Sequence, residues 1–98
     1  MAQPRPGYRS VTPRIVVSDV DAQVAFLRAV FDASGEVVAG RPAEVAIGDS
    51  LVMVTSAAAR DLFPAFLYVY VDDADETYRR AIASGAETME KPTDTPLR

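Results

Sequence analysis

The chain reads as one α+β domain, a β-α-β-β-β unit followed by the opening of a second, incomplete one, with a curved mixed sheet around a cavity. Three observations predict this. Residues 65–71 (AFLYVYV) alternate, with Phe66, Tyr68 and Tyr70 on one face and Leu67, Val69 and Val71 on the other. They run straight into Asp72-Asp73-Ala74-Asp75, a helix start. The same grammar occurs earlier at Val17-Ser18-Asp19-Val20-Asp21, and both helical stretches close on Ser-Gly, at Ser34-Gly35 and Ser84-Gly85.

The elements follow in order. Residues 1–10, with Pro4, Pro6 and Gly7, read as a flexible leader, and residues 11–98 as the domain. Residues 11–17 are β-branched and alternating, hence a strand, with Ile15 and Val17 inward and Thr12, Arg14 and Val16 on the other side. Asp19 or Asp21 caps a helix to about Ala33, whose Val20, Val24, Leu27 and Phe31 share one face, widened by Phe26 and Val30. Gly35 is placed as its C-terminal cap.

Residues 36–39, 43–47 and 50–55 read as three strands, the last two joined by a tight Gly48-Asp49 turn. Residues 56–64 are a loop. A fifth strand follows at 65–71. A second helix runs from about Ala74 to Ser84, with Tyr78, Ala81 and Ile82 as its buried stripe. Residues 87–90 form a short sixth strand, and residues 92–98 a polar tail.

Composition narrows the function. The 98 residues carry a net charge of −4, with one Lys and nine scattered Arg, which speaks against nucleic acid. No apolar run reaches membrane-spanning length, so no membrane partner is predicted and a cytoplasmic location is. There is no Cys and no His, so thiolate chemistry, zinc-thiolate sites and Ser-His-Asp triads are out of reach. The acidic groups at Asp19 and Asp21, and at Asp72, Asp73 and Asp75, are read as helix caps rather than metal ligands.

The outward strand faces converge on a candidate ligand-binding set: Thr12, Arg14, Met53, Phe66, Tyr68 and Tyr70, with Leu51, Thr55, Glu44 and Ala46 nearby. A mainly apolar lining with few polar groups suits a small molecule. The same residues also suit plain filling of a concave face. Arg14, in mid-strand on the cavity-facing side, needs a carboxylate or water. Pairing with Glu44 is the preferred reading and an anionic ligand the other.

The unit order, the two helix starts and the segment Ile47-Gly48-Asp49-Ser50-Leu51-Val52-Met53 resemble the vicinal oxygen chelate superfamily. That group includes glyoxalase I, bleomycin-resistance proteins and extradiol dioxygenases. The segment Leu67-Tyr68-Val69-Tyr70-Val71-Asp72-Asp73 is most similar to its PhnB-like branch. The resemblance implies two modules around a cavity, and in metal-dependent members a divalent ion held by His, Gln or Glu. Counting back seven residues from Asp19 and from Asp73 puts two of the ligand positions at Thr12 and Phe66, and the fourth-strand position falls near Met53. None is a normal metal ligand, so neither a metal nor another cofactor is predicted.

The second module's remaining strands would lie beyond Arg98. The leading expectation is metal-independent binding of a small hydrophobic or aromatic molecule by a homodimer. A lyase or dioxygenase whose catalytic strands lie beyond Arg98 is the alternative, and a protein-interaction domain a further one.

Overall fold

The chain is described here from a computed structural model covering residues 6–57, 62 and 64–88. Its order is β1 (Arg14–Val17), α1 (Val20–Phe31), β2 (Ala43–Ile47), β3 (Ser50–Ser56) and α2 (Ala74–Ala83). The sheet runs β1-β3-β2. β1 lies parallel to β3, with Arg14 opposite Met53 and Ile15 opposite Val54. β2 lies antiparallel to β3, with Glu44 opposite Met53. The β2–β3 turn is the two-residue Gly48-Asp49 loop, where Gly48 takes a φ of 57° that a hairpin of this length favours at its first central position.

Both helices begin as their sequences dictate. Asp19 accepts a bond from the Ala22 amide and Asp73 one from the Glu76 amide, each at 3.0 Å. These side chains satisfy amides that the first helical turn leaves without partners. α1 then lays Val24, Leu27 and Val30 inward, all buried. Val24 and Leu27 join Ile15, Ala43, Val45, Val52 and Val54 in the core, with Val20, Phe26 and Phe31 at its margin. Each fully buried aliphatic side chain contributes roughly 1.5–3 kcal/mol, an upper figure. The period-2 pattern therefore sends Ile15, Val45, Val52 and Val54 under α1. Arg14, Glu44 and Met53 stand on the opposite, open face.

Several elements differ from expectation. Residues 36–39 form no strand. Only a single bridge between Ser34 and Ala46 remains, with both backbone bonds made, at 3.0 and 2.8 Å. Gly35 therefore does not cap α1. Asp32 does, in a left-handed conformation (φ 56°) that Asp tolerates better than most residues. Gly35 lies against β2 instead. An added Cβ there would sit 2.4 Å from the Glu44 carbonyl oxygen.

β1 is shorter than expected, starting at Arg14. Pro13 has no amide to give, although its carbonyl still accepts from Met53 N at 2.9 Å.

The larger difference is at residues 65–71, which form no ladder. β1 opens the first unit by pairing with β3, the last strand of that unit. By the repeat, residues 65–71 call for the equivalent strand of the second unit, and none of the described residues supplies it. The same gap explains α2. It packs beside α1 rather than over a sheet, and none of its side chains is fully buried. Tyr78 and Ala81 are half-buried and Ile82 is 42% exposed, so the expected buried stripe is incomplete. α2 nevertheless closes as its sequence predicts. Ala86 N bonds Ala81 O, Gly85 N bonds Ile82 O, and Gly85 takes a φ of 104°. Residues 87 and 88 form no strand, and the rest of the expected sixth strand and tail lies outside the described residues.

Candidate functional site

The open sheet face is built on one cross-strand row, Arg14–Met53–Glu44. β3 lies between the other two strands, so Met53 sits between the two charges. Two strand spacings separate the Arg14 and Glu44 backbones by roughly 10 Å. The expected Arg14–Glu44 ion pair is not formed, because a whole strand intervenes. Arg14 Nη2 instead donates a weak hydrogen bond to the Met53 Sδ, at 3.9 Å. The Glu44 carboxylate accepts a hydrogen bond from the Tyr8 hydroxyl.

Tyr8 belongs to the leader, whose described residues track this face. Gly7 approaches Leu51, since an added Cβ would stand 3.4 Å from its Cδ1. Arg9 pairs with Asp49 at 3.8 Å and also donates to its carbonyl at 3.5 Å. Sequence reasoning missed Tyr8. The one signal for it was a lone aromatic in a stretch of Pro, Gly and Arg.

The six residues singled out from the sequence fall into separate places. Arg14 and Met53 meet on the open face. Thr12 lies half-buried just before β1, outside the ladder. Tyr68 and Tyr70 touch each other, with ring centroids 5.3 Å apart and planes tilted by 59°, as same-face neighbours on an extended chain do. Phe66 is 95% exposed and Tyr70 85%.

The segment that carries these aromatics borders two clefts. In one, of about 900 Å³, Leu67 and Val69 face Val17, Ala22 and Phe26. In the other, of about 710 Å³, Tyr68 and Tyr70 face Phe31 and the Gly48–Asp49 turn. Neither cleft is lined by Arg14 or Met53.

This arrangement does not suit a metal ion. Among the described residues no three His, Cys, Asp or Glu side chains cluster to hold one. The positions counted from the helix starts offer a hydroxyl at Thr12, a thioether at Met53 and a phenyl ring at Phe66. A guanidinium on the Met53 sulfur further places positive charge where a cation would have to sit.

The β-α-β-β order, the parallel β1–β3 pairing and the repeated Asp-capped helix start match the fold of the vicinal oxygen chelate superfamily, the glyoxalase/bleomycin-resistance fold. Among the described residues the sheet is not closed. Solved structures agree. TioX from Micromonospora sp. is 24% identical, superposes with a TM-score of 0.63, and is matched over 90% of this chain and 79% of its own. The fosfomycin resistance protein FosX from Listeria monocytogenes is 18% identical with a TM-score of 0.64, over 88% of this chain and 72% of its own. FosX from Mesorhizobium loti is 26% identical with a TM-score of 0.58, over 76% and 65%. One Listeria FosX structure holds Mn(II) and 1S,2S-dihydroxypropylphosphonic acid. No protein-family model and no curated protein matches the chain.

Proposed function

We propose that the chain binds a small hydrophobic or aromatic molecule on the open face of its sheet, without a metal ion. The carrying observation is the hydrogen bond that Arg14 Nη2 donates to the Met53 sulfur. It occupies the fourth-strand position with a cation and a soft, apolar side chain rather than with a carboxylate. Val16, Leu51, Met53 and Thr55 share that face, half-buried and with no helix over them among the described residues, which suits apolar contact.

In this reading the chain works as a homodimer. Residues 65–71 carry three exposed aromatics and join no ladder among the described residues, and a second copy is the partner that would cover them and close the cavity with Phe66, Tyr68 and Tyr70. The kinship to the PhnB-like branch belongs to the same proposal. Native mass spectrometry of the purified protein, followed by its denatured mass, tests it. A dimer carrying organic mass is the expected result, and stoichiometric bound metal overturns the metal-independent reading. Met53→Glu should weaken any apolar ligand so found. Unchanged affinity would remove Met53 from the site.

A second reading, a protein-interaction domain, is favoured by the exposure of Phe66 and Tyr70. It predicts a dry protein interface over those rings and no bound small molecule. The enzyme reading draws on the Mn(II)-bound FosX likeness and needs ligands that Thr12, Met53 and Phe66 do not provide.

A further inference from the structure

We propose that residues 7–9 are a strap over the β2–β3 half of the open sheet face, and that a ligand reaches that half only once the strap is released. This rests on the small-molecule reading and adds a gate to it.

Three successive residues make the strap, and each meets a different part of the β2–β3 hairpin. Tyr8 donates its hydroxyl hydrogen to the Glu44 carboxylate on β2. Gly7 lies against the Leu51 side chain on β3, where an added Cβ would stand 3.4 Å from Cδ1. Arg9 pairs with Asp49 in the turn at 3.8 Å. Glu44 and Leu51 share the face of Met53, because Glu44 is the cross-strand partner of Met53 and Leu51 lies two residues before it. The strap therefore lies over the part of the face into which a ligand seated on Met53 would extend.

Its hold is weak. Tyr8 is half-buried, while Gly7 and Arg9 on either side of it are exposed. Both ends of the Arg9–Asp49 pair are largely exposed, and such a pair adds little. The contact thus depends on one aromatic ring and its hydrogen bond, and a bond of this kind shifts an equilibrium by about two- to tenfold.

The chain beyond the strap allows it to swing. Ser10 and Val11 are exposed. The next anchor is Pro13, whose carbonyl accepts from Met53 N at 2.9 Å. Release at Tyr8 therefore leaves β1 and its seam with β3 in place. A site that is open in only a fraction of molecules binds with its affinity reduced by that fraction. Loosening the strap should tighten binding without adding a contact.

The test uses 2-phenylethanol, a neutral aromatic, as the probe, with the full chain and substitutions in the strap alone. Heteronuclear NMR titration gives its affinity, and relaxation by a dissolved nitroxide gives the accessibility of the Leu51 methyl groups. Tyr8→Ala should tighten probe binding about two- to tenfold and increase the relaxation of Leu51. Tyr8→Phe keeps the ring and loses the hydrogen bond, and should fall between. Arg79→Gln breaks a surface ion pair of 2.6 Å on α2 and should change neither reading. Tyr8 precedes β1, the first element of the fold, so its variants are expected to stay folded, and the same spectra report it.

Unchanged relaxation of Leu51 in Tyr8→Ala overturns the strap and leaves the small-molecule reading standing. A Leu51 that becomes accessible while probe affinity stays the same or falls overturns the gate alone. Absence of probe binding at millimolar concentration, by the unmodified chain and by Tyr8→Ala, overturns both the gate and the small-molecule reading.

Discussion

Asp19 and Asp73 are the same helix cap built twice. Their backbone angles are φ −129°, ψ 97° and φ −132°, ψ 97°, and each side chain accepts from the amide three residues on at 3.0 Å. The two caps differ in what depends on them. α1 carries the core, whereas α2 has no fully buried side chain. Asp19→Ala should therefore lower global stability by about 1 kcal/mol. Asp73→Ala should fray α2 locally, with a much smaller change in the cooperative transition. Denaturant unfolding beside amide exchange of residues 76–83 separates the two. Equal losses of global stability would show that α2 unfolds with the core.

Leu27 and Phe66 give the sharpest contrast in apolar side chains. Leu27 is 4% exposed within the core, and Leu27→Ala should cost about 2–5 kcal/mol. Phe66 is 95% exposed in the single chain, and Phe66→Ala should stay within about 0.5 kcal/mol for the monomer. Unfolding measured across a range of protein concentrations adds a further reading. If a second copy covers residues 65–71, the Phe66→Ala loss grows as the protein is concentrated.

Gly35→Ala is expected to be severe. The backbone there holds a φ of 135°, and a methyl group would meet the Glu44 carbonyl oxygen at 2.4 Å. Overpacking and strain together should cost about 2–4 kcal/mol. Gly40 has a φ of 84° but open space around it, so Gly40→Ala should cost about 1 kcal/mol, from conformation alone. Thermal melts of the pair test whether close approach, rather than backbone angle, governs the first site. Similar losses in both would reject that account.

Residues 66–71 join no ladder among the described residues, so their amides should exchange much faster than those of β1 and β3 in dilute solution. Protection that appears with concentration would mark pairing with a second copy. Strong protection at the lowest concentration would contradict the single-chain arrangement of this segment.

Elements whose partners lie close by in the chain were legible from the sequence. The α1 stripe of Val24, Leu27 and Val30, the Gly48-Asp49 hairpin and the alternation that divides Ile15 from Arg14 all follow from local spacing. Residues 65–71 were legible as an alternating segment but not as lying outside the described ladder, because alternation reports faces and not ladder partners. The Ser34-Gly35 pair misled for a different reason. Its identity with Ser84-Gly85 is real, but Asp32 takes the left-handed position first, which frees Ser34 to bridge Ala46.

The open-face residues Arg14, Met53 and Glu44 were placed on the correct side by period-2 reasoning. Their order across the sheet was not legible, since it depends on β3 lying between β1 and β2. That order is why Arg14 meets a sulfur instead of Glu44.

The parallel seam between β1 and β3 also sets an order of events. Arg14 and Met53 are 39 residues apart, whereas β2 and β3 are joined by a two-residue turn. Closing the longer loop costs more chain entropy, and a short hairpin forms on a microsecond scale of about 1–10 μs. The β2–β3 ribbon is thus the piece able to form first, with α1 folding onto it and β1 arriving as the last strand of the sheet. Substitutions at the Gly48-Asp49 turn should then slow refolding, while those on β1 should chiefly quicken unfolding. The strand that carries Arg14 is the last to be laid down, so the face acquires its positive end only once the rest of the sheet is in place.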